Sequence, residues 1–431
     1  VVKKVLVFIV LILPFYLLAQ NNSGKTLAEY LAIYEKLHAQ PELSGQEKNT
    51  ATFLRKCLQE WGYQITDSLG FYSFAAVLKN GKGPTIMYRT DMDALPVKEQ
   101  TQLPFSSSVV ANKDGVDVPV MHACGHDVHM VTWLAVADYF AHHPKEWKGT
   151  LVLLAQSAEE IGQGARKAIA QPNFNQLPQP NYQIAMHNNA DLTVGQVGFC
   201  DGYAMAAVDM MNIIIHGKGG HGAVPQNTID PIVLAAQFVT EIQTIVSRNL
   251  PPIEAAVVTV GAIHGGTIGN VIPNQVELKL TIRSFSPQAR QLILDRLKTI
   301  GDGLASAAGL PQSLWPEYQL LDMSIAPVFN DSQMGKRVAA SLKKKYGEKA
   351  IVSVDPVMIG EDFGMYRTDP NIPSYLLWMG TLTPASQQKY TAQNQKFPSL
   401  HSPNFAPDYQ ESLPQSIQMM TTALQALFTS H

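Results

Sequence analysis

Met121-His122-Ala123-Cys124-Gly125-His126-Asp127-Val128-His129-Met130 places one thiol, three imidazoles and one carboxylate within ten residues. Cys124 and His126 stand two apart across Gly125. That spacing splays two side chains on a helix but lets them converge where the backbone turns sharply, and glycine permits the turn. Asp127 stands where a helix can start, and Val128, Val131, Trp133, Leu134 and Ala137 continue at helical intervals. Potential ligands are therefore expected on a loop anchored by a buried helix. A free cysteine is often simply buried, and core histidines can be satisfied by neighbours. Three imidazoles beside the thiol favour a metal site over that plainer reading.

At 431 residues the chain is long for one domain and suggests two. A formal charge of -3, with Lys and Arg scattered, gives no footprint for nucleic acid, and the run Lys343 to Lys345 reads as a solvated helix face. Residues 1–19 carry Lys3-Lys4, then an apolar run from Val5 to Ala19 broken only by Pro14, then polar residues. This is the pattern of a signal peptide, from which we expect cleavage after Ala19 and an exported, periplasmic or secreted protein with no stable membrane insertion. Cys57, Cys124 and Cys200 are too few and too irregularly spaced for a disulfide framework.

Helical periodicity over Thr26 to Ala39 and Gln46 to Trp61 precedes short apolar runs at Phe74 to Leu78 and Thr85 to Tyr88, which the Asn80-Gly81 turn predicts as a hairpin. Asp91 and Asp93 follow, where open α/β sheets often place function, although an Asp-rich turn explains them equally well. The apolar run Thr150 to Ala155 reads as a buried strand ending in Glu159-Glu160. The side chains of adjacent glutamates at a strand end diverge, so one can bind a metal while the other carries protons. Ile184-Ala185-Met186 then delivers His187 at the end of another apolar strand. Over 205–325 the order becomes strand, helix, two strands, helix, strand, the ferredoxin-like βαββαβ arrangement of a separate inserted module. Its glycine-rich loops hold His221 and Asn270 and lack phosphate-loop spacing. The fold class is therefore α/β: a catalytic domain over 20–204 and 326–431, with a mixed sheet flanked by helices, interrupted by the α+β insert.

Taken together, Asp91 to Pro96, His122 to Asp127 with His129, Glu159-Glu160, His221, Gly265 to Pro273, Gly360 to Phe363 and His401 to Phe405 resemble the amidohydrolase branch of the M20 metallopeptidase family. That branch includes hippurate hydrolases, N-acyl-amino-acid amidohydrolases and plant auxin-conjugate hydrolases. The resemblance spans nearly the whole mature chain. It implies two divalent ions held by Cys124, His126, Glu160, His187 and His401, with Glu159 as general base and the insert as lid and dimerisation surface of a homodimer. It further implies that His221 crosses into the partner's site. The chain departs from the family at Ser157, where proline is usual, at Gln226, where histidine is common, and after His187, where no proline follows.

The donor set suits zinc, or manganese, cobalt or nickel where oxygen ligands dominate. Metal polarisation of the carbonyl and activation of water would act with Glu159 as base. Asn270 and His221 are candidate oxyanion donors, and Arg283 is a candidate for the substrate carboxylate. The expected reaction is hydrolysis of an N-acyl amino acid or small dipeptide. The alternatives are a metallocarboxypeptidase or dipeptidase on short peptides, or an exported binding protein of the same fold that lacks catalysis.

Overall fold

The computed structural model describes residues 24–429, and the signal-like stretch lies outside the described residues. Helix α1, Leu27–Ala39, starts in a capping box: Thr26 Oγ1 accepts from the Glu29 N–H, and the Glu29 carboxylate accepts from the Thr26 N–H at 2.7 Å. Helix α2, Lys48–Glu60, buries Ala51, Leu54 and Leu58, and ends ahead of Gly62 at φ 85°. Strands β1 (Gln64–Thr66), β2 (Phe74–Asn80) and β3 (Thr85–Asp91) follow, then a small hairpin of β4 (Val110–Lys113) and β5 (Val116–Pro119). Helix α3 spans His126–His142, β6 spans Gly149–Gln156 and α4 spans Gly164–Ile169. Strands β7 (Tyr182–Thr193), β8 (Val197–Phe199) and β9 (Gly202–Met205) complete the first half.

The expected hairpin between β2 and β3 does not form. The chain reverses there, with Gly81 at φ 80°, but β6 inserts between the two strands, antiparallel to β2 and parallel to β3. The reason is burial. Both strands are almost wholly enclosed, so each needs a hydrogen-bonded neighbour on both edges, and the long apolar β6 supplies the missing one.

The insert contains β10 (Ala207–His216), β11 (Gly220–His221), α5 (Pro231–Glu241), β12 (Ala256–Gly265), β13 (Val271–Ile272), β14 (Gln275–Ser284), α6 (Pro287–Ala307) and β15 (Glu317–Leu320). Its four-stranded sheet runs β12-β14-β10-β15 with antiparallel pairing throughout, the ferredoxin-like order. Burial alternates along β10, so Met211, Ile213 and Ile215 pack on α5 and α6 through Phe238, Ile293 and Leu297 while Val208 and Met210 face the other way. Helix α5 starts at Pro231 behind the Asp230 cap, and a π turn over Ile245–Asn249 follows it. The last strand stops at Leu320; Ile325 contributes only a single bridge to Val208.

The chain returns through β16 (Val328–Asn330), α7 (Ser332–Tyr346), β17 (Ile351–Ser353), β18 (Ser374–Leu382), α8 (Pro384–Ala392) and α9 (Tyr409–Phe428). An eight-stranded mixed sheet results, in the order β1-β2-β6-β3-β7-β18-β8-β17. Alternate residues feed two cores. Phe74, Tyr88, Leu153 and Leu377 pack with α1, α2, α3, α7 and α9 on one face, and Met87, Val152, Leu154 and Trp378 pack with α4 on the other. No helix among the described residues is long and apolar enough to cross a membrane.

Candidate active site

Four sheet strands converge on one point. β3 delivers Asp91, and Asp93 lies just beyond it; β6 leads into Glu159 and Glu160; β7 carries His187; and β18 places Trp378 beside His187. His187 lies in the middle of β7 rather than at its end. Pairing of β7 with β3 stops at Arg89 opposite Ala185, and the residues beyond are open on that edge.

Gly125, at φ 76°, is the residue before α3, so His126 rather than Asp127 begins the helix. The left-handed turn brings Cys124 and His126 to the same site, as expected for a glycine there. Cys124 Sγ lies 3.6 Å from His187 Nε2 and 3.3 Å from His401 Nε2. Glu160 Oε1 lies 3.4 Å from His401 Nε2 and 3.8 Å from His126 Nε2. All five residues expected as ligands therefore meet, although His401 comes from far along the chain. His401 holds φ 67°, its N–H tied to Ala123 O at 2.8 Å. Ala158, at φ 58°, turns the chain just before the glutamates. Non-glycine residues in this conformation store strain that the surrounding structure must hold, and here one belongs to the cluster and the other leads into it.

The histidines are pre-set for a metal. His126 Nδ1 donates to Asp93 O at 2.8 Å and His187 Nδ1 donates to Asn188 O at 2.9 Å, which leaves Nε2 of each as the acceptor facing the cluster. His126 Nε2 and Glu160 Oε1 are buried without a hydrogen-bond partner. Buried polar atoms are rarely left so, and a cation among them would satisfy them. Burial, and then the Glu160 carboxylate, push the Cys124 thiol well above its usual range in the metal-free protein, so metal binding would release its proton. The donors fit divalent metal ions. His129 is not among them. Its Nδ1 is bonded to Asp91 Oδ1 at 2.7 Å and its Nε2 accepts from the Asn188 N–H at 3.1 Å.

Asp91 and Asp93, which the sequence leaves open between turn and function, orient the site. Asp93 Oδ2 accepts from the Glu160 N–H at 3.0 Å and from Ser44 Oγ at 2.6 Å. Asp91 also accepts from Arg89, whose fully buried guanidinium reaches Asp362 and Glu361 at 3.0 Å each. Sequence reading missed this network; its one signal is a lone arginine inside the apolar strand that ends at Asp91. Glu159 lies with Glu361 and Asp362 on that side. Burial, then Glu361 and Glu160, push its carboxyl well above the ordinary range, which marks a group that holds a proton readily.

Both departures from the expected prolines use an N–H that proline lacks. Ser157 donates its N–H to Ser73 Oγ at 2.9 Å and its hydroxyl to the buried Glu47 at 2.6 Å. Asn188 donates its N–H to His129, and its Nδ2 to Gly125 O at 2.8 Å, so one residue holds the turn between Cys124 and His126 and backs His187. Asn188→Ala should therefore weaken metal binding by about 10- to 100-fold, the usual cost of losing an outer-shell partner. A chelator-competition titration on folded protein measures this, and an unchanged dissociation constant would show that the turn holds itself.

Cys124, Glu159, Glu160, His187 and His401 form one end of a cavity of about 580 Å³. Arg283 lines it from the insert, half-buried between its strand neighbours Val208 and Val257. No carboxylate lies against Arg283 among the described residues, and burial lowers its affinity for its proton. His221 and Asn270 do not line the cavity of their own chain. They stand together on the exposed face of the insert, where the Gly222 N–H donates to Asn270 O at 2.9 Å.

The chain matches the profile of Peptidase family M20/M25/M40 over residues 87–425. It is 37% identical over 348 residues to the N-acetylcysteine deacetylase of Bacillus subtilis strain 168, covering 80% of this chain and 86% of that one. It is 35% identical over 390 residues to the N-acetyldiaminopimelate deacetylase of Lactobacillus helveticus strain DPC 4571, covering 89% and 94%. Among solved structures it is similar to the Bacillus subtilis YXEP protein, described as a dinuclear metal binding peptidase from the M20 family. That match has a TM-score of 0.76 and 30% identity, and covers 94% of this chain and 99% of that one. With the cluster of thiol, imidazole and carboxylate donors at the strand ends, these likenesses establish that the chain belongs to Peptidase family M20/M25/M40, as a metal-dependent hydrolase of its amidohydrolase branch.

Proposed function

We propose that the protein hydrolyses the amide bond of N-acyl amino acids, releasing a free amino acid and a carboxylic acid. One observation carries this reading: four of the metal-ligand residues, Glu159 and Arg283, a guanidinium with no carboxylate against it among the described residues, share a single cavity. Cys124, His126, Glu160, His187 and His401 would hold the ions, which when bound supply Lewis-acid polarisation of the scissile carbonyl and activation of water. Glu159 takes a proton from the attacking water as the new C–O bond forms. It then passes that proton to the nitrogen as the C–N bond breaks, so the amine leaves neutral and the acyl group leaves as a carboxylic acid. Arg283 pairs with the carboxylate of the amino-acid portion, and its half-buried setting strengthens that pair.

His221 Nδ1 accepts from the Ala223 N–H at 3.0 Å, so the neutral ring carries its proton on Nε2. It is a donor with no acceptor in its own cavity. We infer that it serves the active site of a partner subunit, with Asn270 beside it, and that the insert pairs two chains as a homodimer. We also infer export, from the signal-like start of the sequence.

The test begins with purified protein stripped by a chelator and reloaded separately with zinc, manganese, cobalt or nickel. Activity on N-acyl amino acids should vanish on stripping and return with at least one metal. Arg283→Ala should lower kcat/KM for these substrates by roughly 10- to 150-fold, the worth of a hydrogen bond to a charged group, and should barely change it for the corresponding amino-acid amides. Equal turnover of acids and amides by the unaltered enzyme would refute the carboxylate anchor. Activity confined to dipeptides would favour the peptidase reading.

A further inference from the structure

The connection between α1 and α2, residues 40–47, turns two polar side chains inward behind the active site, Ser44 and Glu47. Glu47 holds the N-cap position of α2, where a polar side chain ordinarily accepts from the free N–H groups of its own helix. It makes no such bond. Glu42 caps the helix instead, accepting from the Asn49 N–H at 3.1 Å and the Thr50 N–H at 2.8 Å. The Glu47 carboxylate is fully buried and points the other way. Its three partners are the Gly45 N–H at 2.8 Å, the Ala158 N–H at 2.8 Å and the Ser157 hydroxyl at 2.6 Å. Burying a carboxyl costs free energy that only well-placed donors offset, and two of these three belong to one turn.

That turn presents Glu159 and Glu160. Ala158 is fully enclosed at φ 58°, a conformation that a non-glycine residue keeps only under restraint from its surroundings. Strand pairing cannot supply the restraint, because β6 ends at Gln156. Side chains supply it: the Ser157 N–H goes to Ser73 Oγ, the Ala158 N–H to Glu47 Oε1 and the Glu160 N–H to Asp93 Oδ2. Ser44 fixes the last of these from behind, donating its hydroxyl to the same Asp93 oxygen at 2.6 Å. The Ala94 N–H on Glu42 O at 2.8 Å and a bridge between Leu43 and Ala94 tie the two segments together. One short connection therefore grips the turn on both sides of the glutamate pair. We propose that Glu47, which lies outside both the cavity and the ligand cluster, is a positioning residue that sets where Glu159 and Glu160 stand, resting on the roles of base and ligand given to that pair above.

Glu47→Ala should weaken metal binding by about 10- to 100-fold in chelator competition on folded protein, as loss of an outer-shell partner does. With metal saturating, kcat on an N-acyl amino acid should fall by roughly a hundredfold, the cost of a misplacement of about 1 Å. KM should hold, because Arg283 and the cavity wall are untouched. Glu47→Gln should restore most of both quantities, since its amide oxygen accepts the two N–H groups and its NH2 donates to Ser157 Oγ. An acid with a merely structural task behaves otherwise: Glu42→Ala should lower the unfolding temperature and leave metal affinity unchanged. In the metal-free protein, Glu47→Ala should speed hydrogen exchange at the Ala158 amide by at least about tenfold. If the alanine variant does not fold, Glu47→Asp, one methylene too short to reach Ser157 and Ala158 together, is measured in its place and read in the same way. A folded variant with unaltered metal affinity and kcat would overturn the proposal, and so would a glutamine variant as impaired as the alanine one. If the unaltered enzyme cleaves no N-acyl amino acid, the N-acyl reading itself fails, and metal titration with amide exchange still decides the role of Glu47: unchanged values in both would remove it.

Discussion

Glu159→Gln is expected to keep its metals and still bind substrate, while kcat falls by about a hundred- to ten-thousandfold. Glu160→Gln, one residue on, is expected to lose metal affinity first and activity as a consequence. The two side chains stand in different settings. Ala158, in the left-handed conformation, turns the chain as it leaves β6. Glu160 then points its Oε1 between His126 and His401, with its N–H held by Asp93. Glu159 lies against Glu361 and Asp362, where burial and neighbouring carboxylates raise its affinity for a proton. A carboxyl in that setting suits a proton carrier, and an amide there keeps the shape while removing the proton site. Elemental analysis of each variant, with calorimetric binding of a substrate to Glu159→Gln, gives the answer. Equal metal loss in both variants, with no substrate binding by either, would end the division of labour.

The residues legible in the sequence were those whose chemistry is concentrated locally. Cys124 and His126 announce themselves around Gly125, and Glu159-Glu160 stand at the end of an unmistakable apolar strand. What could not be read was long-range pairing. The Asn80-Gly81 turn correctly marks a reversal, but nothing local says that β6 will insert between the two strands, because that follows from the need of two buried strands for partners on both edges. The Arg89 network was hidden for the same reason. Its acids, Asp91, Glu361 and Asp362, are hundreds of residues apart in part, and a single arginine in a strand carries no hint of them. Ser157 and Asn188 show a further limit. Read against the family they are missing prolines; in the folded chain each supplies a backbone donor, and Asn188 joins the turn before α3 to the strand that carries His187.

Mixing His221→Ala with Glu159→Gln, each nearly inactive alone, is expected to restore one active site per heterodimer, about half the activity of the unaltered dimer. His221 is exposed, lies outside the cavity of its own chain, and has its ring fixed as an Nε2–H donor by the Ala223 N–H. A donor aimed at developing negative charge is worth about 3 to 4 kcal/mol, or two to three powers of ten in kcat, so its loss should be nearly as damaging as loss of the base. In a heterodimer one site combines an intact Glu159 on its own chain with an intact His221 from the partner, while the other site lacks both. Activity therefore returns at one site of the two only if the histidine crosses between subunits. If it acts within its own chain, each site of the heterodimer carries one defect and nothing is recovered. Differently tagged subunits, exchanged and isolated as heterodimers, make the comparison direct. Absence of recovery in confirmed heterodimers would place His221 in its own chain's site and require the insert to move until its exposed loop reaches the cavity that it does not line here.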